Sequence, residues 1–280
     1  YIYILFICVY LYRFSFKFVK RRPCRFGNIV ATLIAVSLTI CGFHSHYDKK
    51  EVVYHVTVPK TSSISQLKIC LVSDLHLSSG TYMRQVRKLV KTVNDKHYDL
   101  VCFAGDVFDE NTPDALMNRS LQEFMNMKST YGTYWISGNH EYYGKHTDFT
   151  VFEKYNIHFL KNTYETVDNT FNIVGFTDKT YHDHYEINRV IEGMDTSLPT
   201  ITLDHNPERF DQHTYFTDLQ LSGHTHNGQI FPGNIILHYY YQNSYGLSHY
   251  KNHYLLVSGG YGSWGFPFRL GTQCEYCLLY

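Results

Sequence analysis

In Ser73-Asp74-Leu75-His76 a carboxylate and an imidazole stand two positions apart. In extended backbone both side chains leave the same face, so the pair can reach one cation together. Such a pair is common, and it gains weight only in the company of further donors. Gly105-Asp106-Val107-Phe108-Asp109 adds a carboxylate whose two oxygens can bridge two ions, beside a glycine that lets the backbone turn sharply. Asp109 suits either a place behind the ligands or a turn or N-cap. Gly138-Asn139-His140-Glu141 offers a neutral amide oxygen, which can ligate without adding charge and leaves His140 free for a substrate oxygen. His205, in Leu203-Asp204-His205-Asn206-Pro207, would on its own be structural, whereas Gly223-His224-Thr225-His226 repeats the convergent one-residue spacing of the first pair. These donor types suit Mn, Fe, Zn or Co, and no thiolate is needed among them.

The elements that must carry these residues read as an α/β layered fold. Short apolar runs at 67–72, 100–104, 133–136, 171–174, 200–203, 219–222 and 254–257 predict strands. A helix is predicted over 83–96, with Val86, Leu89, Val90 and Val93 on one face, and another over 114–127. Every Asp, Asn and His cluster follows a strand end, and in open sheets ligands gather beyond the carboxyl ends of the strands.

Composition narrows the partners. Lys plus Arg and Asp plus Glu are 25 each in 280 residues, so no overall field favours nucleic acid, and none is expected as a partner. Residues 1–19 and 29–43 are strongly apolar and predict two transmembrane helices, a membrane anchor over 1–45 ahead of a catalytic domain over 46–280. A signal peptide or a core helix is the alternative. The basic run 20–25 between the two stretches predicts a cytoplasmic loop, which puts the domain on the extracytoplasmic face beside the bilayer. Because the chain starts at Tyr1 rather than Met, an N-terminal piece is expected to precede it. Cys274 and Cys277 form a close pair, for which unlinked thiols are expected over a disulfide.

The blocks Asp74-x-His76, Gly105-Asp106, Gly138-Asn139-His140-Glu141, His205 and Gly223-His224-Thr225-His226, in that order over roughly 65–275, resemble the calcineurin-like metallophosphoesterase superfamily. The flanking text resembles its bacterial membrane-associated phosphodiesterases, relatives of UDP-2,3-diacylglucosamine hydrolases. Asn227 departs from that branch, which often has Gly there, and Ser137 stands where protein phosphatases of the superfamily usually place Arg. The resemblance implies a four-layer sandwich of two mixed β-sheets flanked by helices, here preceded by the transmembrane helices. It also implies two divalent metal ions, the first on Asp74, His76 and His226, the second on Asn139, His205 and His224, with Asp106 bridging. His140 would then act as the catalytic acid on the departing oxygen of a phosphate-ester substrate. The anchor and the aromatic loop 261–268 predict a lipid-linked phosphodiester or pyrophosphate. A soluble-substrate phosphodiesterase or nucleotidase, and a non-catalytic metal-binding membrane scaffold, are the alternatives. Trp264, Phe266 and Phe268 fit core closure as well as lipid contact. Residues 239–241, with His182 and His184, are assigned to surface loop or strand packing.

Overall fold

The computed structural model describes residues 25–78, 82–144, 149–180 and 186–280, together with Tyr10 and Phe14. Apart from those two, the apolar stretch 1–19 lies outside the described residues, as do 20–24 of the basic run and the pair His182 and His184.

Helix α1 (Arg25–Tyr47) covers the second apolar stretch, and its portion Phe26–Tyr47 is long and apolar enough to cross a membrane. Where two membrane helices were expected, the described residues hold one. The helix also runs past residue 43, through the expected boundary at 45. No breaker interrupts His44 to Tyr47, and this last stretch packs on the domain, which holds it helical. Gly42 makes that packing possible: a Cβ there would lie 2.0 Å from a ring carbon of Phe268. The Phe43 and Phe268 rings meet edge to face at 5.9 Å.

Beyond α1 the chain forms two six-stranded sheets. The first runs β1 (Lys50–Tyr54), β12 (Glu275–Leu279), β2 (Ile69–Val72), β3 (Leu100–Ala104), β4 (Thr133–Ile136) and β5 (His158–Phe159). The second runs β10 (Gly246–Tyr250), β11 (His253–Val257), β9 (Leu219–Ser222), β8 (Thr200–Leu203), β7 (Phe171–Gly175) and β6 (Thr163–Val167). Both are mixed, with β12 antiparallel to β2 in one, and β10 to β11 and β6 to β7 in the other.

Side-chain alternation assigns the layers. Ile69, Leu71, Leu100, Cys102 and Ala104 pack against Ile173, Ile201, Leu203 and Leu221 of the opposite sheet. Their neighbours Cys70, Val72, Val101 and Phe103 face the other way, under α2 (Met83–Lys96) and α3 (Asp114–Phe124). Helix α4 (Asn139–Tyr143) follows β4 directly. On the far face of the second sheet, Val174 and Phe176 lie under Val190 of α5 (Ile187–Val190), Met194 and Phe216. Phe210 of α6 (Phe210–His213) packs on Leu255 and Val257. The result is helix, sheet, sheet, helix, as the resemblance implies. Helix α7 (Gly233–Tyr240) takes in Tyr239 and Tyr240, which were expected in surface loop or strand packing, and none of its residues is buried.

Candidate metal centre

The eight residues singled out in the sequence meet in one crevice. Asp74 and His76 follow β2, Asp106 follows β3, Asn139 and His140 follow β4, His205 follows β8, and His224 and His226 follow β9. Asp74, His76 and His226 form one cluster of ligand atoms within 4.8 Å of one another; His76, Asp106 and His140 form a second, and Asp106, His205 and His224 a third. Asp106 Oδ2 lies 3.1 Å from His205 Nε2 and 3.9 Å from His76 Nε2. His76 Nε2 faces His226 Nε2 at 2.9 Å, and His226 Nε2 is 3.5 Å from Asp74 Oδ1. Asn139 Oδ1 sits 2.9 Å from His224 Nδ1.

Backbone conformation creates this convergence. Asp74, His76, Asp106, His224 and His226 all have φ between 51° and 72°. For residues other than glycine this left-handed region costs on the order of 1–3 kcal/mol each and persists where the surroundings enforce it, typically at functional sites. Gly138 and Gly223 admit close approaches, since a Cβ at the first would lie 2.2 Å from Asp106 Oδ1 and at the second 2.3 Å from Asp74 Oδ2. The backbone N–H of His224 donates to both Asp74 oxygens, at 3.1 and 3.2 Å.

Outer hydrogen bonds fix the imidazoles of His76 and His205 in the form a cation needs. His76 Nδ1 donates to Asp109 Oδ1 at 2.6 Å, which leaves the Nε2 lone pair facing the cluster. His205 Nδ1 donates to the Ala104 carbonyl at 2.7 Å, and its fully buried Nε2 has no hydrogen-bond partner. The donor set thus fits a divalent cation by its chemistry and by this orphaned nitrogen.

Each charge in the crevice depends on its neighbours. Burial opposes ionisation of Asp106, yet the charge of the neighbouring His205 holds its carboxyl well below the usual range. Burial likewise opposes a proton on His205, but Asp106 raises its pKa well above the ordinary value. Burial lowers His224, helped by the charge of His205, and burial with His76 and Arg269 holds His226 well below the ordinary value.

Three contributors were not assigned from the sequence. Glu141 accepts from the backbone N–H groups of Asp106, Val107, Phe108 and Gly138 at 2.7 to 3.0 Å, tying the β3 loop to the β4 loop. Burial and the neighbouring Asp106 push its carboxyl up to about 7, against those four donors. Its signal was present in the Gly-Asn-His-Glu block. Glu110 Oε2 is 2.9 Å from His140 Nδ1, with Asp109 Oδ1 at 3.5 Å. Arg269, fully buried, donates to the His226 carbonyl at 2.9 Å, to His226 Nδ1 at 3.0 Å and to Ser263 Oγ at 3.3 Å. Ser263 Oγ in turn lies 2.8 Å from His46 Nδ1, so the last turn of α1 reaches a site residue through two side chains. Nothing in the local sequence around Arg269 announces this.

A cavity of about 570 Å³ opens on the cluster, lined by Asp106, Asn139, His140 and His224 and, at its mouth, Ile236 and Trp264. Of the aromatic loop, Tyr261 and Phe268 are buried, as core closure requires, whereas Trp264 is 60% exposed and Phe266 is exposed as well. Cys41, Cys70, Cys102, Cys274 and Cys277 are all unlinked, as expected for the close pair.

The sequence pattern of the calcineurin-like phosphoesterases matches residues 67–228, more than half the chain and all eight site residues. The chain belongs to the calcineurin-like phosphoesterase family. Members of this family are metal-dependent phosphoester hydrolases, in keeping with the clustered ligand atoms. An uncharacterized metallophosphoesterase of Helicobacter pylori is 33% identical over 222 residues, 76% of this chain and 59% of that protein. One from Aquifex aeolicus is 29% identical over 247 residues, 82% of this chain and 92% of that protein. A transmembrane protein with metallophosphoesterase domain from Bos taurus is 29% identical over 286 residues, 93% of this chain and 63% of that protein. This calcineurin-like phosphoesterase chain therefore spans about three-fifths of the Helicobacter and Bos relatives.

Proposed function

We propose that this chain is a membrane-anchored hydrolase that cleaves a phosphodiester or pyrophosphate with two divalent cations. Asp74, His76 and His226 hold one cation, Asn139, His205 and His224 hold the other, and Asp106 bridges them. The observation that carries the reading is the orientation of His76 and His205, whose Nδ1 atoms are committed to Asp109 and the Ala104 carbonyl while both Nε2 atoms turn to Asp106. When bound, such a cation pair supplies Lewis acidity, acidifying water and neutralising charge on phosphoryl oxygens.

The chain's own residues do the rest. Asp106 and Asp74 balance part of the cationic charge, and Glu141 holds the Asp106 and Asn139 loops at a fixed separation. His140, outside the ligand set, delivers a proton to the departing oxygen, steadied through Nδ1 by Glu110. The apolar span 26–47 keeps the cavity beside a bilayer. We take the substrate to be lipid-linked on that ground, in line with the resemblance to relatives of UDP-2,3-diacylglucosamine hydrolases. The transmembrane naming of the Bos taurus relative supports the anchor.

The test uses the full chain in detergent, loaded with Mn and given a chromogenic phosphodiester. Turnover is expected for the wild type, with a loss of about 10²-fold or more in Asp106→Asn. Absence of turnover with Mn, Fe, Zn or Co despite bound metal would leave a metal-binding scaffold as the better account.

A further inference from the structure

The surface around the cavity mouth is unusual in what it lacks. Residues 227–250 contain no Asp, Glu, Lys or Arg, and neither do residues 252–268. Water-facing surfaces ordinarily mix charges of both signs. Yet much of this segment is exposed. In α7, Ile235, Ile236, Tyr239 and Tyr240 fall on one face and are 48%, 51%, 84% and 81% exposed. Ile230, Phe231 and Trp264 are exposed beside them. An aliphatic and aromatic face of this kind, with tyrosine hydroxyls and an indole N–H as its polar groups, matches the boundary between headgroups and acyl chains.

This face is continuous with the root of α1. The Arg269 N–H donates to the Gly42 carbonyl at 3.0 Å, the Leu270 N–H to the Gln229 carbonyl at 3.1 Å, and the Phe231 N–H to the Leu270 carbonyl at 2.8 Å. Gln229 also bonds to both backbone groups of Trp264, at 3.0 and 2.9 Å. Gly42, residues 269–270, Phe231 and Trp264 are thus linked step by step across the surface from which the apolar helix projects. A bilayer crossed by α1 meets this surface.

We infer that α7 and the Trp264 turn form a membrane-docking face, which sinks into the lipid interface and sets the mouth of the metal cavity against the leaflet. The occupant is a phospholipid surface. Ile236 and Trp264 belong both to this face and to the cavity lining, so a phosphate ester carrying an acyl chain passes from the leaflet to the site without crossing bulk water. The inference rests on the reading of α1 as a membrane span and deepens the proposed substrate class.

The chain itself provides the reporter. It has two tryptophans, of which Trp135 is completely buried and Trp264 is exposed. In full chain reconstituted into phosphatidylcholine vesicles, acyl-brominated phosphatidylcholine is expected to quench the Trp264 emission, and Trp264→Phe to abolish that quenching. The triple variant Ile235→Ser, Tyr239→Ser, Tyr240→Ser replaces exposed residues that do not line the cavity. It is expected to lose most of the quenching, to stay in the vesicles through an alkaline carbonate wash, and to keep its turnover of a soluble chromogenic diester. Wild-type protein that survives the wash yet is not quenched, or a triple variant quenched like the wild type, would overturn the docking face alone. Release by the wash would overturn the anchor on which it stands. A lack of turnover in both proteins with quenching intact would count against the hydrolase reading and leave the docking face supported.

Discussion

His205 Nε2 lies 3.1 Å from Asp106 Oδ2, although one residue follows β8 and the other β3, strands of different sheets. The pair closes the crevice across the sandwich, and both side chains are buried. A proton or a cation must occupy the space between an imidazole nitrogen and a carboxylate oxygen at this distance, which makes the metal and the proton competitors.

The competition gives a pH dependence with a definite sign. The pKa of His205 is raised in the folded state, so the His205 and Asp106 pair stabilises metal-free protein below the ordinary imidazole value and loses that contribution as pH rises through the folded value. Metal binding must displace this proton. Manganese affinity measured by calorimetry is therefore expected to rise as pH climbs from the ordinary imidazole range toward the raised value of His205, with proton release on binding. Affinity independent of pH would contradict the arrangement.

Asp109→Asn tests the outer hydrogen bond. An amide in that place can present its N–H₂ to His76 Nδ1, favouring the proton on Nε2, where the lone pair is needed. Metal affinity is expected to fall about 10- to 100-fold with little loss of thermal stability, read by titration and by circular dichroism.

Gly223→Ala tests the close approach of the β9 loop to Asp74. The added methyl would fall 2.3 Å from Asp74 Oδ2, so the carboxylate must swing away. Metal content after dialysis, measured by mass spectrometry, should drop below that of the wild type, and crystals should reveal a moved Asp74.

His140→Ala should retain its metal but turn over slowly. The loss is expected to be about 10²–10⁴-fold on a substrate with a poor leaving group and much smaller on a nitrophenyl ester, whose leaving oxygen needs no proton. Equal losses on both substrates would remove the acid role.

Protease protection in sealed vesicles tests orientation. If the basic run 20–25 lies in the cytoplasm, residues after 47 should be cleaved only from the extracytoplasmic side.

Much of this molecule is legible in the sequence because its information is local. Strands 100–104, 133–136, 200–203 and 219–222 and helix 83–96 coincide with observed elements, since period and burial are read from neighbouring residues. The eight site residues were likewise recognisable, because each loop carries its own short pattern after a strand. Strands β1, β5, β6, β10 and β12 were not anticipated, and β1, β10 and β12 show why. They are edge or closing strands whose residues 50–54, 246–250 and 275–279 have no strong period of their own and gain strand character from their partners. Helix α7 was missed for a related reason, since its apolar side chains face outward and gave no contrast between a buried and an exposed side.

What the sequence determined by itself is the set of ligand types and the strand ends that carry them. Tertiary structure decided which nitrogen of His76 and of His205 faces the crevice, because that depends on Asp109 and the Ala104 carbonyl, brought from another strand. It also decided that Arg269, Ser263 and His46 join the apolar helix to His226, a link between residues far apart in sequence that no local pattern encodes. Hydrogen bonds of that kind exist only once the chain has closed on itself.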